Sequence, residues 1–142
     1  MRNQVDERIK QGLNADFVLS ESDIINLTIL QLNEYFEKSR REFSIPLLLV
    51  GTDFQKSVWE MLQQVPFGST QTYMGLSKML NNEKAIRAVA SANGANALAI
   101  IIPCHRIIGS KGELVGYAGG LPAKKKLLIL ENHHADSQLQ LF

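Results

Sequence analysis

The sequence predicts a mostly helical α+β domain with a small sheet. Apolar residues recur at helical spacing in five segments, and two of these are short and joined by a tight turn. Short apolar runs bounded by proline or glycine in the C-terminal third are typical of strands. With 142 residues, 45% of them hydrophobic and 20% charged, the chain is long enough for one domain with a packed core.

The first predicted helix runs from about residue 22 to about residue 41. Residues 1–20 before it are polar and poorly patterned, and we expect them to be loose. Ser22 suits the N-cap position, and apolar residues follow at helical spacing: Ile25, Ile29, Leu32 and Phe36. Pro46 then interrupts the chain, and residues 47–50 form a short apolar run that we interpret as a buried connector.

A second helix begins after Thr52 or Asp53, either of which can cap it, and ends at the Pro66-Phe67-Gly68 turn. One face of this helix is apolar: Phe54, Val58, Met61, Leu62 and Val65. Trp59 lies beside that stripe. An aromatic residue in this position is typical of a core side chain rather than of a ligand platform.

Residues 72–94 have the pattern of a helix-turn-helix. Thr72 can cap a short helix that carries Tyr73, Leu76 and Leu80, and Asn81-Asn82 makes a turn. A second helix runs from Glu83 to Asn93-Gly94, with Ile86, Val89 and Ala90 along it. The pattern alone is weak, because many helical hairpins bind nothing.

The second helix of this pair is rich in small side chains: Ala85, Ala88, Ala90, Ser91 and Ala92. Arg87 is the only basic residue well inside it. A face of small residues lets another surface approach closely. That surface is either a packed helix or a nucleic-acid groove, and the pattern leaves both open.

The sole cysteine, Cys104, follows an apolar run, residues 98–102, that predicts a buried strand ended by Pro103. We therefore expect a half-buried thiol on a turn at the edge of the core. One interpretation is a small hydrophobe that packs well. The other is a reactive thiol, because His105 and Arg106 are cationic neighbours of the kind that lower a thiol pKa.

Beyond the cysteine, residues 109–112 predict a turn, 114–117 a short strand and 118–120 a loop whose backbone can lie close to a flat ligand. A last helix is predicted from Leu121 to Glu131. Residues 124–126 are three lysines, which most often form a solvated face. The tail, residues 133–142, is polar, and we interpret its two histidines, His133 and His134, as surface residues, so no metal site is predicted.

Composition narrows the class of protein. No apolar stretch approaches the roughly 20 residues of a membrane span, and the N-terminus lacks the apolar core of a signal peptide, so we expect a cytoplasmic protein without membrane contacts. A single cysteine excludes an internal disulfide and a zinc site built on several cysteines. The net charge is +1, but residues 51–142 carry 9 basic and 6 acidic side chains, a balance that permits nucleic-acid binding.

The segment from Thr52 to Glu131 resembles the C-terminal domain of O6-alkylguanine-DNA alkyltransferases, also called methylated-DNA-protein-cysteine methyltransferases. The segment is 80 of the 142 residues, and several motifs agree in order and spacing. The matching pieces are Asp53-Phe54-Gln55 with Val58-Trp59, Pro66-Phe67-Gly68 with Thr72-Tyr73, Ala85-Ile86-Arg87-Ala88-Val89, Ala92-Asn93-Gly94, Ile102-Pro103-Cys104-His105-Arg106, and Gly116-Tyr117-Ala118-Gly119-Gly120-Leu121.

The resemblance implies a fold and an activity. It divides the chain into a truncated N-terminal region (1–50), mainly the helix over about 22–41, and a winged-helix-like alkyltransferase domain (51–132). The implied activity is DNA repair by direct reversal, in which Cys104 accepts the alkyl group of O6-alkylguanine, with O4-alkylthymine as a further substrate, in one turnover. The protein would bind double-stranded DNA in the minor groove as a monomer, flip the base out and use no cofactor.

The resemblance also implies residue roles. Cys104 would be the nucleophile, His105 its base acting through a water, and Glu131 the residue that orients the imidazole. The implied catalytic set is Cys104, His105, Glu131, Asn96, Tyr73 and Lys124. The implied DNA contacts are Tyr73, Ala85, Ile86, Arg87, Ala88 and Ser91. The implied substrate contacts are Tyr73, Cys104, Ile107, Tyr117, Ala118 and Gly119.

The chain departs from the family pattern in three places. The family commonly has proline after the asparagine of the active-site turn and glycine within the recognition helix, where this chain has Ala97 and Ala90. The sheet-forming part of the usual N-terminal domain is also missing from the first fifty residues.

Three other functions stay open. A cysteine hydrolase or acyl transferase would turn over repeatedly on an ester or amide. A non-enzymatic sensor of alkylated DNA would not need the cysteine, and a regulatory helix-turn-helix protein would bind specific sequences in the major groove.

Overall fold

The computed structural model describes residues 2–131, and the predicted mostly helical α+β fold with a small sheet is confirmed there. Its helices are α1 (Arg2–Leu13), α2 (Asp23–Phe36), α3 (Asp53–Leu62), α4 (Tyr73–Met79), α5 (Ile86–Gly94) and α6 (Leu121–Leu130). Strands β1 (Gln71–Thr72) and β2 (Ile107–Ile108) pair in parallel, and 3-10 turns cover Glu83–Ala85 and Cys104–Arg106. The polar tail predicted for 133–142 lies outside the described residues. In that range, every helix is too short or too polar to cross a membrane.

The predicted N-caps are confirmed at three helices. The Ser22 hydroxyl accepts a hydrogen bond from the Ile25 amide at 3.1 Å. Thr52 and Gln55 form a reciprocal capping box at the start of α3. Thr72 accepts from the Gly75 amide at 2.9 Å and so starts α4, the first helix of the predicted pair.

The main core lies where α3, α4 and α5 meet, beneath the cysteine turn. Its buried members are Val58, Trp59, Leu62, Val65, Leu76, Val89, Ala92, Ile102, Cys104 and Ile107. Trp59 is a core residue, as predicted, and its indole Nε1 donates to the Ala92 carbonyl at 2.8 Å, which ties α3 to α5. In a second, smaller cluster, Ile108 and Leu114 pack with Leu121 and Leu128 of α6.

The expectation that residues 1–20 are loose is wrong for residues 2–13, which form α1, whereas residues 15–20 are exposed and carry no helix or strand. This helix buries Val5, and the Arg8 guanidinium lies over the Trp59 ring at 5.0 Å from its centroid. A cation-π contact of this kind has no periodic signature in the sequence, since one arginine and one valine do not make an apolar stripe.

Helix α2 ends at Phe36 rather than near residue 41, and its predicted inner face is also wrong. Ile25, Ile29 and Phe36 are about half exposed, at 44%, 52% and 50%, whereas Gln31 and Tyr35 are buried. The buried polar groups are hydrogen-bonded: the Gln31 amide donates to the Ser44 hydroxyl at 2.8 Å and accepts from the Ser44 amide at 2.9 Å. Specific partners therefore decide which face of α2 turns inward.

Two predicted strands are replaced by irregular structure. Residues 98–102 form turns, with Ile100 at a φ of +74°, and 114–117 carries no strand. The reason at the first site is Asn96. Its Nδ2 donates to the Ile102 carbonyl at 2.9 Å, and its Oδ1 accepts from the Leu98 amide at 3.0 Å, so the side chain takes peptide groups that a ladder would use.

The actual strand, β2, follows the cysteine turn instead of preceding it. Ile107 pairs with Gln71, and Ile108 pairs with Thr72. The pairing joins the segment just before α4 to the segment just after the cysteine. It therefore fixes the helix pair α4–α5 and the cysteine turn relative to each other.

Candidate active site

Cys104 lines a cavity of about 370 Å³ between the helix pair and the loop before α6. Cys104 is 7% exposed, so it is more buried than the predicted half-buried position. Helix α5, the turn that follows it and the loop at 116–119 provide most of the wall. The lining residues are Tyr73, Ala90, Asn93, Gly94, Asn96, Ala99, Cys104, Gly116, Tyr117, Ala118 and Gly119.

The pKa of the Cys104 thiol is raised, whereas the sequence predicted that cationic neighbours lower it. Burial raises the pKa of Cys104, while a hydrogen bond from Asn96 and the positive charge of Lys124 lower it in part. The prediction that His105 and Arg106 supply the lowering charge is wrong. Both of these side chains are directed to Glu131, and the cation that acts on the sulfur is Lys124.

Behind the cysteine, Glu131 is the centre of a buried polar cluster. Its Oε1 accepts from His105 Nε2 at 2.8 Å and from Arg106 Nη2 at 2.9 Å, and its Oε2 accepts from Arg106 Nε at 3.0 Å. Burial on its own would raise the pKa of this carboxyl, but the His105 and Arg106 hydrogen bonds lower it to about 2. The cluster therefore holds a carboxylate at neutral pH.

The imidazole of His105 is fully buried, and its Nε2 is occupied by Glu131. Burial lowers the pKa of His105, against the opposing effect of the Glu131 hydrogen bond. The second ring nitrogen, Nδ1, is buried and has no hydrogen-bond partner among residues 2–131. The arrangement orients the ring and leaves one nitrogen available for proton transfer.

Lys124 is fully buried, so the interpretation of residues 124–126 as a solvated face is wrong at its first residue. Its Nζ donates to the carbonyls of Ile107 at 2.5 Å, Val115 at 2.9 Å and Gly116 at 3.3 Å. Burial lowers the pKa of Lys124 to about 8, although the cysteine thiolate opposes this. Three backbone carbonyls accept hydrogen bonds from the amine, which explains how this lysine can be buried.

Two tyrosines lie on the cavity wall. Tyr73 Oη donates to the Val115 carbonyl at 3.1 Å, and burial raises the pKa of this phenol. Burial raises the pKa of Tyr117 to about 12, so both phenols are protonated donors at neutral pH. Ala118 and Gly119 complete this side.

Ile107 is the one residue of the implied substrate set that the structure does not bring to the cavity. Its side chain is fully buried in the main core, and its carbonyl accepts from Lys124 Nζ.

Apart from Tyr73, which starts α4 and lies on the cavity wall, the residues implied for DNA contact lie on the outer side of α5 and the turn before it. Arg87, Ala88 and Ser91 are exposed, and Ala85 and Ile86 are half-buried. Of the small residues of this helix, Ala92 packs in the core, as the helix-packing interpretation expects, and Ala90 lines the cysteine cavity. Within residues 2–131, Arg87 forms no ion pair.

Sequence reasoning missed Tyr35. Its side chain is fully buried, and its hydroxyl donates to Glu131 Oε1 at 2.8 Å. Tyr35 lies one position away from the predicted apolar stripe at Phe36. Its four-residue spacing from Gln31 is the only signal for the true inner face, and that signal is too short to have favoured it.

The α4–α5 helix pair lies beside a cavity that contains the sole cysteine, the arrangement of a helix-turn-helix protein with a cysteine site. Comparisons with known proteins identify the family. The family model described as "6-O-methylguanine DNA methyltransferase, DNA binding domain" matches residues 53–133. A curated relative named methylated-DNA--protein-cysteine methyltransferase, from Mycolicibacterium paratuberculosis, is 46% identical over 112 residues, which are 79% of this chain and 68% of the relative. One of the same name from Methanosarcina mazei is 45% identical over 129 residues, 91% and 80% of the two chains.

A solved structure agrees with these relatives. The Mycobacterium tuberculosis protein OGT, crystallised in complex with DNA, superposes with a TM-score of 0.72 at 47% identity, covering 74% of this chain and 64% of that one. This chain belongs to the 6-O-methylguanine DNA methyltransferase family.

Proposed function

We propose that this protein repairs alkylated DNA by direct reversal, with Cys104 as the permanent acceptor of the alkyl group from O6-alkylguanine. The observation that carries the proposal is the cavity of about 370 Å³ that joins the thiol to the helix pair. A volume of this size lies within the range of small-ligand sites, about 300–1,000 Å³. Its lining of two tyrosines, small residues and backbone suits a flat aromatic base.

The reaction is a displacement at the alkyl carbon. The Cys104 thiolate forms the sulfur-carbon bond while the bond between that carbon and guanine O6 breaks, and the electron pair stays on the base. The leaving base gains one proton, which balances the proton that the Cys104 thiol gives up to His105, and the Tyr73 phenol on the cavity wall can donate a hydrogen bond to the departing oxygen. The product is a thioether, which has no good leaving group, so one molecule repairs one lesion.

His105 and Glu131 activate the thiol in this proposal. Glu131 holds His105 Nε2, which leaves Nδ1 to take the thiol proton through a bridging water. Lys124 adds a nearby positive charge that favours the thiolate. Asn96 donates to the Ile102 carbonyl just ahead of the cysteine turn and so positions the sulfur.

DNA binding uses the outer face of α5. Small exposed residues such as Ala88 and Ser91 permit close approach to a minor groove, and Arg87 occupies the space of the extruded nucleotide. Contacts of this kind go mainly to the backbone, so we expect little sequence preference. The protein acts as a monomer in the cytoplasm, and O4-alkylthymine is a second substrate that reacts at the same thiol.

Intact-protein mass spectrometry tests the transfer. After incubation with duplex DNA that carries O6-methylguanine, the mass should rise by one methyl in place of one hydrogen, on the peptide that contains Cys104. Cys104→Ala should bind the duplex and gain no mass. An unmodified duplex is the control, and multiple turnovers or methylation at another residue would contradict the proposal.

Base flipping is tested separately with Arg87→Ala. The variant should slow transfer more when the lesion is paired with cytosine than when it lies in a mismatch, because extrusion from a mismatch costs less. Lys84→Ala, also exposed and in the preceding turn, is the matched loss of charge. Equal slowing on both duplexes would refute the insertion role of Arg87.

A further inference from the structure

The site receives a residue from outside the matched family segment. Tyr35 lies on α2, whereas the family model begins at residue 53. The Tyr35 side chain is fully buried, and its hydroxyl donates to Glu131 Oε1 at 2.8 Å. A helix of the N-terminal region therefore contacts the carboxylate that orients His105.

The two oxygens of the Glu131 carboxylate accept different numbers of hydrogen bonds. Oε2 accepts only from Arg106 Nε, at 3.0 Å, among the described residues, whereas Oε1 accepts from Tyr35, His105 and Arg106 at 2.8–2.9 Å. Tyr35 and His105 thus share one oxygen. The tyrosine hydroxyl limits both the movement of that oxygen and the negative charge it offers to the imidazole.

Ring packing fixes the position of the Tyr35 hydroxyl. The Tyr35 ring contacts Phe36, Phe43 and Phe67, with ring centroids 5.3, 5.6 and 6.0 Å away. Two of these three contacts are edge-to-face, the geometry that aromatic pairs prefer. The hydroxyl is therefore held in place before any substrate arrives.

We infer that Tyr35 is a positioning residue, which holds Glu131 Oε1 against His105 and sets the strength of that hydrogen bond. The inference rests on the proposed function, since it assigns Tyr35 to the same thiol-activating assembly. It adds α2 to that assembly, so the N-terminal region takes part in the chemistry without touching the substrate.

The effect of removing the hydroxyl follows from the charges that face His105. These are Glu131, with Tyr35 acting through it, and the cations Arg106 and Lys124. In Tyr35→Phe, Oε1 keeps more of its charge for the His105 N–H, so the pKa of His105 should rise. The imidazole should also be held less firmly, and we expect single-turnover transfer to slow by about tenfold, the loss of one hydrogen bond to a charged group.

The main experiment compares wild type, Tyr35→Phe and Phe43→Leu. Single-turnover methyl transfer from an O6-methylguanine duplex is measured across pH, and His105 is titrated by NMR with labelled histidine, assigned with His105→Gln. Tyr35→Phe should slow transfer, leave DNA affinity unchanged and move the His105 titration to higher pH. Phe43→Leu removes the one ring contact that is not edge-to-face and keeps the hydroxyl and the other two contacts, so it should move that titration less than Tyr35→Phe does.

The outcomes separate the two proposals. If wild type transfers no methyl group, the proposed function fails, and the titration of His105 still tests the role of Tyr35. If wild type is active and Tyr35→Phe matches it in rate and in titration, the role of Tyr35 is refuted. Equal titration shifts in Tyr35→Phe and Phe43→Leu would also refute it, because packing alone would then explain the effect.

A measurement on the wild-type protein covers the case in which Tyr35→Phe does not fold. Because Tyr35 and His105 donate to the same oxygen, the ring signals of Tyr35 should move in step with the titration of His105. Labelled tyrosine gives only three residues to assign. Tyr35 signals that stay fixed through that titration would overturn the inference.

Discussion

Replacing Glu131 by glutamine should cost about 3 kcal/mol of folding free energy at pH 7. A carboxyl whose pKa falls from its ordinary 4.5 to about 2 on folding stabilises the folded state by about this amount when it is ionised. The folded-state pKa is the lower one, so this stabilisation is present above pH 4.5 and is lost as the pH falls toward 2. At pH 7 it is fully present.

The loss of the buried ion pair with Arg106 gives a similar cost for Glu131→Gln. Arg106 is 6% exposed and forms two hydrogen bonds with Glu131, so glutamine leaves its charge buried without a counter-charge. Breaking a buried pair in this way costs about 3–5 kcal/mol. The hydrogen bonds from Tyr35 and His105 to the same carboxylate are also weakened.

Urea unfolding at pH 7 measures this cost through the fluorescence of Trp59, which is the only tryptophan and is 2% exposed. Glu34→Gln is the matched control, because Glu34 pairs with Arg40 at 3.2 Å in a half-exposed position. That change should cost less than about 1 kcal/mol. A cost below about 1 kcal/mol for Glu131→Gln as well would refute the reasoning that the buried cluster needs its negative charge.

Three further changes have expected outcomes. The folded-state pKa of Lys124, about 8, is below the ordinary value of 10.5, so a protein with Lys124 gains folding stability as the pH rises from 8 to 10.5. Lys124→Met cannot gain it. In a Cys104→Ala background, urea unfolding should therefore show the Lys124→Met variant falling behind the protein that keeps Lys124 by up to about 3 kcal/mol over this range. Asn96→Ala should move the iodoacetamide reactivity of Cys104 to higher pH, since a hydrogen bond that lowers the thiol pKa is lost, and an unchanged profile would contradict this. Thr72→Ala should cost about 1 kcal/mol in thermal unfolding as a lost N-cap, with Thr72→Ser close to wild type.

The helices that pack around Trp59 could be predicted from the sequence, because cap residues and apolar spacing agree there. Thr52 and Thr72 are strong start signals, and each is followed by a regular stripe. Burial of Trp59 follows from its place beside such a stripe. Prediction from cap residues and apolar spacing succeeds where the local conformational preference and the tertiary packing favour the same structure.

Other parts depend on partners that are far away in the chain. Tyr35 turns inward because Glu131, 96 positions later, accepts a hydrogen bond from its hydroxyl. Lys124 is buried because three carbonyls surround its amine, and residues 98–102 form turns because one amide, on Asn96, takes their peptide groups. Periodicity does not register such contacts, and only the family resemblance pointed to Lys124 and Asn96.

The parallel pairing of β1 with β2 closes the intervening chain into a non-covalent ring. The chain from the start of α4 to the cysteine turn forms that ring. Two residue pairs close it, Gln71 with Ile107 and Thr72 with Ile108. Closing so long a loop has an entropic cost, which is offset only when the β1–β2 pairing and helices α4 and α5 form together. In hydrogen exchange, amides of α4, α5 and the cysteine turn should thus share one opening event, slower than the exchange of α1.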